Sequence, residues 1–347
     1  MVEGSGLMSI REIARRAGVS PSTVSRIVNS GNISAASTQT QERIWKAVHE
    51  LGYVPNQHAR QLKHPEPEQA PQNRNLDCVY ARVIGPYLDP FFTVLMRAAE
   101  VTAFGAGYNL RYHYSVTDIQ DGKAPFSDTN SDSAVVLGRI EPRSLNLLRK
   151  WYKNIINIGQ NTVPDGIFDQ VICSGYRAAR TCVEYLRSLG HKKICYMGET
   201  DNEQRFQGYL DAMADLELGD LSPYVAHCLF NPTGGYEAVN RLLDSGVEFT
   251  AILCANDMNA VGAMKSLREH RLKIPQDVSL IGINDMETVC YLDPMLTTIH
   301  IPLEEMGHLG VKLLIDRIEG GHTLPLKVDI PFTLIQRESC GPAKRRY

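Results

Sequence analysis

The sequence predicts an α/β protein in two parts: a small head of three short helices, and a large domain of two Rossmann-like halves built on parallel sheets. Three observations carry this. Two short amphipathic segments, 9–18 and 20–29, meet across a tight turn. A polar, proline-rich stretch, His64-Pro-Glu-Pro-Glu-Gln-Ala-Pro-Gln-Asn-Arg-Asn75, has no apolar period and divides the chain. From residue 76 onward, short apolar runs alternate with amphipathic helices, the pattern of strands covered on both faces.

In the head, Ile10, Ile13, Ala14 and Ala17 recur at helical spacing, and Gly18 stands where positive φ ends a helix. Ser20 is a preferred N-cap, Pro21 suits the first helical position, and Val24, Ile27 and Val28 form the buried stripe of a second helix. Its outward face is then Pro21, Ser22, Ser25, Arg26 and Asn29. Two helices joined this closely form a helix-turn-helix, whose second helix enters the major groove with its N-terminal part. Arg26 is the expected direct reader, since a guanidinium bridges O6 and N7 of guanine; the competing view is an ordinary helix pair with a surface arginine. Thr38 to Leu51 add a third helix, with Ile44, Val48 and Leu51 inward. The segment 52–63 leads into one more short helix, marginal alone in water and therefore expected to need DNA or a partner helix. Residues 1–64 hold 8 Lys/Arg against 4 Asp/Glu, a net +4 that leaves −7 for the rest of a chain of net −3. Basic charge is thus concentrated where phosphates are expected.

The run Ala17-Gly-Val-Ser-Pro-Ser-Thr-Val-Ser-Arg26, followed by Leu51-Gly-Tyr-Val-Pro-Asn56, resembles the lactose/galactose repressor family of bacterial transcription regulators. The resemblance implies that Pro21, Ser22 and Arg26 read bases. It places Ser20, Thr23, Ser25 and Asn29 where backbone or nearby bases are touched. It puts Asn56, Ala59 and Leu62 on a hinge helix whose leucine wedges into the minor groove, where unstacking kinks the duplex. The loop 30–37 is a few residues longer than the usual pattern. One such head spans only a few base pairs, so a homodimer on a palindromic double-stranded DNA operator is expected. The end Cys340-Gly-Pro-Ala-Lys-Arg-Arg-Tyr347 carries no leucine heptads, so no tetramerisation coiled coil is expected.

These readings divide the chain into a tail (1–8), a helix-turn-helix domain (9–54), a hinge helix and linker (55–75) and an effector-binding and dimerisation domain (76–347). The last splits into one half of about 76–174 plus 302–325 and another of about 175–301 plus 326–340. Met1 to Leu7 lack the basic and apolar regions of a signal peptide, and no run of 18 apolar residues predicts a membrane span. The eight cysteines lack Cys-x-x-Cys spacing and are expected to be reduced thiols in a cytoplasmic protein, with no metal and no cofactor. An enzyme is not expected: no G-x-G-x-x-G opens a helix, and neither a Walker loop nor a Gly-x-Ser-x-Gly elbow occurs.

Strands are predicted at 78–84, 134–137, 155–158, 171–173, 193–197, 225–229, 251–254 and 278–283, and helices at 91–104, 176–189, 235–243, 258–270 and 303–318. In open parallel sheets ligands bind beyond the carboxyl ends of strands. That rule singles out Asp89 and Phe92 after the first strand, Arg205 on the first turns of a helix after 193–197, Asn256 and Asp257 after 251–254, and Asn284 and Asp285 after 278–283. Asp257 has the plainer reading of an N-cap.

The family shares its core with periplasmic sugar-binding proteins, which implies a periplasmic-binding-protein-like domain that closes on a ligand between its halves. By that resemblance Arg205 and Asn256 fall on effector-binding positions, Phe230 where an aromatic stacks on a pyranose, Gln160 near a position that is often acidic, and Asn284 on a position that is usually Asp. A neutral amide there both donates and accepts. The set suits hydroxyls better than a purine. The sequence therefore predicts a repressor of a carbohydrate-utilisation operon relieved by a sugar, and resemblance to the galactoside-responsive branch at 284–288 and 304–307 favours a galactoside or galactose. The alternatives are a sugar-binding protein, or a regulator that needs a corepressor or a protein co-regulator to bind DNA.

Overall fold

A computed structural model describes residues 10–28, 36–51, 74–81, 89–115, 117–118, 131–164, 166, 168–214 and 220–344. The chain forms two compact units, 1–70 and 71–347. The tail 1–8, loop residues 30–35, Asn29, and the expected hinge helix with Asn56, Ala59 and Leu62 lie outside the described residues.

In the first unit, α1 (Ile10–Ala17), α2 (Pro21–Val28) and α3 (Thr38–Glu50) enclose one small core. Ile13, Ala14, Ala17, Val24, Ile27, Ile44, Ala47 and Val48 are buried in it, so the apolar stripes meet as their periods require. Gly18 takes φ +64°, ending α1, and the Val19 N–H returns to the Ala14 carbonyl. Ser20 Oγ accepts the Thr23 N–H at 3.2 Å, capping α2.

The second unit holds two six-stranded sheets. The first, in the order β11-β5-β4-β3-β1-β2, is parallel throughout: β1 (Asn75–Tyr80), β2 (Asn109–Ser115), β3 (Ser133–Leu137), β4 (Asn154–Gly159), β5 (Asp169–Ile172) and β11 (Lys327–Asp329). The second, in the order β12-β10-β9-β8-β6-β7, comprises β6 (Ile194–Gly198), β7 (Val225–His227), β8 (Ala251–Cys254), β9 (Ser279–Asn284), β10 (Thr297–His300) and β12 (Thr333–Ile335), with β12 alone antiparallel to its neighbour. The helices are α4 (Pro90–Gly105), α5 (Pro142–Trp151), α6 (Gly175–Ser188), α7 (Gln204–Ala214), α8 (Pro232–Asp244), α9 (Asp257–Glu269) and α10 (Leu303–Ile318). Side chains alternate across each sheet. Ile194 and Tyr196 join one core with α6 and α7, while Cys195 and Met197 join the other with α8 and α9.

The chain crosses between the halves after β5, after β10 and after β11. Because β11 pairs with β5, the last return to the second half comes after Asp329 rather than at 326 as the sequence suggested. Strands β2, β10, β11 and β12 and helix α5 were not foreseen. β2 and β12 are edge strands, and β2 reads Asn-Leu-Arg-Tyr-His-Tyr-Ser with no apolar run. β10 buries two threonines whose polar groups are satisfied only in three dimensions, Thr297 N–H on Ser339 Oγ at 2.8 Å and Thr298 Oγ1 on Asp257 at 2.7 Å.

Helices α8 and α9 pack backbone to backbone. A Cβ on Gly262 would stand 1.8 Å from the Pro232 carbonyl oxygen, so glycine is required there by space. Gly262→Ala is expected to lower stability by about 1–3 kcal/mol, as overpacking does, measured by urea unfolding.

Asp77 on β1 is buried, and its carboxylate accepts the Tyr152 hydroxyl at 3.0 Å. Burial pushes its pKa up to about 6 against the opposing pull of Tyr152 and Arg111. A pKa higher folded than unfolded means that the contribution is present below the unfolded value, near 4, and is lost as pH rises through 6. The advantage of Asp77→Asn over wild type is therefore expected to be larger at pH 7.5 than at pH 5 by about 1 kcal/mol, measured by urea unfolding at both.

Candidate functional site

The carboxyl ends of the two sheets enclose a cavity of about 50 Å³ lined by Asp89, Phe91, Phe92, Gly138, Arg139, Gln160, Asn161, Arg205, Phe230, Asn256 and Asn284. Asp89, Phe92, Arg205, Phe230, Asn256 and Asn284, named from the sequence, are thus brought together, as is Gln160. A larger open groove of about 1070 Å³ runs elsewhere, along α9 and residues 291–294, with exposed Lys265 and Arg268. It lies away from the strand ends.

Each wall is positioned by the element before it. Asp89 caps α4, its carboxylate accepting the Phe91 N–H at 3.0 Å, which turns Phe91 and Phe92 toward the cavity. Gly138 follows β3 with φ +97°, and a Cβ there would meet the Phe92 ring at 2.9 Å. Gln160 and Asn161 follow β4. In the second half, Asn256 follows β8, and its side-chain oxygen accepts the Asn259 N–H at 2.8 Å. Asn256 is therefore the N-cap of α9, and the expected capping role of Asp257 is corrected. Asp257 is fully buried and accepts from Met286 N–H at 2.8 Å and Thr298 Oγ1 at 2.7 Å. Burial lifts its pKa to about 6, against those two hydrogen bonds.

Asn284 and Asp285 both hold positive φ, +129° and +58°. Such strain persists only where neighbours impose it, and it clusters at binding sites. Here Asp285 is held by Arg337 at 2.7 Å and His300 at 3.1 Å, while Met286 is tied to Asp257. The strain presents the Asn284 amide to the cavity, where its oxygen accepts from Gln160 Nε2 at 2.6 Å. Gln160 Oε1 is buried with no hydrogen-bond partner among the described residues. Buried amide oxygens normally have one, so this atom is suited to an incoming donor.

Charge is arranged in one buried cluster. Arg205 lies over the Phe230 ring at 4.4 Å, donates to the Ala255 carbonyl at 2.8 Å, and makes a two-pronged contact with Glu203 at 2.7 and 2.9 Å. Arg139 reaches from the first half to Glu199 at 2.6 Å and Glu203 at 3.0 Å in the second. Burial drives the Glu203 carboxyl up, but the charges of Arg205 and Arg139 and its hydrogen bonds bring it below the ordinary carboxylate value. Arg139, Glu199 and Glu203 were not singled out from the sequence. The rule that placed Asp89 applies equally to Arg139, two residues past β3, but a lone arginine in a short loop carries no mark of the partner it will meet.

The described residues of the head expected to face DNA stand on its exposed side. Ser20, Pro21, Ser22 and Arg26 are exposed and Thr23 and Ser25 half-buried, while Val24 and Ile27 point inward. Among the described residues no group of three or more His, Cys, Asp or Glu could hold a metal ion, and no helix is long and apolar enough to cross a membrane.

Residues 9–56 match the model of the bacterial regulatory proteins of the lacI family, and residues 183–340 match the periplasmic binding protein-like domain. The chain is 28% identical to the HTH-type transcriptional repressor PurR of Proteus mirabilis strain HI4320, covering 96% of this chain and 97% of that one. It is 27% identical to the HTH-type transcriptional repressor MelR of Bacillus subtilis strain 168, covering 96% and 98%. Among solved structures, it resembles the transcriptional regulator CelR in complex with cellobiose, with TM-score 0.71, 23% identity and coverage of 96% and 99%. It also resembles the Lac repressor bound to ONPG, with TM-score 0.67, 23% identity and coverage of 96% and 100%. The head at residues 9–56 is thus of the lacI family of bacterial regulatory proteins, and it is joined to a periplasmic-binding-protein-like domain with a polar cavity between its halves.

Proposed function

We propose that the protein is a sequence-specific transcription repressor that binds a palindromic operator as a homodimer and is released from it by a sugar, with a galactoside or galactose as the specific candidate. The observation that carries this reading is the cavity at the facing strand ends. Its polar walls, amides of Gln160, Asn256 and Asn284 beside the aromatic faces of Phe92 and Phe230, are suited to the hydroxyls and flat apolar face of a pyranose. The repressors PurR and MelR, similar over nearly the whole chain, support the regulatory part.

On the DNA side, Arg26 reads a base, assisted by Pro21 and Ser22, while Ser20, Thr23, Ser25 and Asn29 hold backbone or neighbouring bases; Asn56, Ala59 and Leu62 form the hinge that wedges the minor groove. On the ligand side, Asp89, Phe92, Arg205, Phe230, Asn256 and Asn284 bind the effector. Ligand binding alters the angle between the halves, and the linker carries that change to the paired heads. The coupling is reciprocal: a sugar that weakens operator binding is itself bound less tightly by the operator complex.

Selection from a duplex library, with and without galactosides and other sugars at fixed salt, tests the whole reading. One enriched palindromic site, released by one sugar, is expected; enrichment of no site under any condition would overturn it. Arg26→Ala is expected to lose discrimination worth about 1–3 kcal/mol at one base position while dimerisation and sugar binding persist, measured by titration of matched and mismatched duplexes. Arg205→Ala is expected to keep operator binding and lose the sugar response, and an unchanged response would place the effector elsewhere.

A further inference from the structure

Arg139 crosses the cleft. It follows β3 in the first half, yet its two terminal guanidinium nitrogens are held by the second half, at Glu199 Oε2 (2.6 Å) and Glu203 Oε2 (3.0 Å). The same closure carries Gln160 to Asn284 at 2.6 Å and the Gln204 N–H to Asn161 at 2.7 Å. The space left is about 50 Å³. Sites for small molecules usually measure about 300–1,000 Å³, so no sugar ring fits while this bridge stands. Its members are buried, the Arg139 side chain being 15% exposed, Glu199 6% and Glu203 1%, so solvent salt screens the bridge poorly.

We propose that Arg139 is a specificity-determining residue that acts as the protein's own competitor for the effector cleft: bridged to Glu199 and Glu203, it holds the halves shut, and it admits an uncharged polyol in preference to an anionic sugar. The proposal rests on reading this cavity as the effector site. A ligand displaces a guanidinium that already satisfies two carboxylates, and its apparent affinity falls with the fraction of molecules so closed. Both cations of the site, Arg139 and Arg205, are engaged by carboxylates, and Asp89 adds a third acid to the walls. Two guanidiniums and three carboxylates leave the group at −1 with both guanidiniums already engaged, so a phosphate or uronate meets no free cation there, whereas hydroxyls donate to carboxylates and accept from guanidiniums.

The test uses the full-length, ligand-free protein with labels at exposed Lys150 in the first half and Glu237 in the second, the distance being read by energy transfer. Arg139→Met is expected to raise the open, long-distance population most, Glu199→Gln to raise it less because the contact with Glu203 at 3.0 Å remains, and their combination to match Arg139→Met alone. Arg139→Lys, which keeps the charge, is expected to fall between. An unchanged distance in Arg139→Met, or additive shifts in the double variant, would overturn the bridge. Thermal unfolding confirms that each variant is folded. Methyl β-D-galactoside is expected to bind Arg139→Met about tenfold more tightly than wild type, and galactose 6-phosphate to bind wild type more weakly than the galactoside. Weaker galactoside binding to Arg139→Met would make Arg139 a direct ligand contact and overturn its role as competitor. If no sugar binds wild type, the effector reading fails, while the label distance still decides the bridge.

Discussion

Four charges share a volume from which water is largely excluded: Arg139, Arg205, Glu199 and Glu203. Removing one member of such a set typically destabilises by about 3–5 kcal/mol, because the remaining charge stays buried and uncompensated. The cluster therefore constrains everything around it. Glu203 is ionised because two guanidiniums surround it, Arg205 is held over Phe230 by its bonds to Glu203 and the Ala255 carbonyl, and the first half is tied to the second because Arg139 belongs to one and its partners to the other. A buried ion cluster divided between two bodies also differs from one inside a single core. Opening the cleft hydrates every member, so rupture is compensated in a way that no intradomain pair allows.

The sheets explain why these groups meet at all. Parallel strands in both halves deliver their carboxyl ends to the same cleft, and several of its polar residues stand within a few positions of a strand end: Arg139 after β3, Gln160 after β4, Glu199 after β6, Asn256 after β8 and Asn284 at the end of β9. Local strain is concentrated there as well. Asn284 and Asp285 keep positive φ because Arg337, His300 and the Asp257 carboxylate hold the turn on three sides. Asp257, read from the sequence as a cap, instead anchors this turn to α9 from inside the core.

The head is simpler. Eight residues of each of α1 and α2 present one apolar stripe to a shared core, so the opposite side, with Pro21, Ser22 and Arg26, faces outward by geometry alone. Its modest positive charge, against a negative remainder, adds attraction to phosphates without selecting a sequence.

Helix caps, apolar periods and strand-to-loop junctions were legible in the sequence, because each depends on residues within a few positions of one another. Ser20, Pro21, Gly18 and Val24 define the turn and the inward stripe of the head, and the strand-end rule led to Asp89, Arg205, Asn256 and Asn284 without knowledge of which faced which. The edge strand β2, the threonine-bearing β10 and the late return of the chain through β11 were not legible, since their polar groups are satisfied by partners far away in sequence. The same holds for Arg139, whose partners lie 60 and 64 residues on. The sequence by itself determined the two-part plan, the outward face of the second helix and the strand ends at which a ligand would be held; tertiary structure alone decided that Asn256 rather than Asp257 caps α9 and that an arginine from one half closes on two glutamates of the other, because a buried charge is defined by what surrounds it in space.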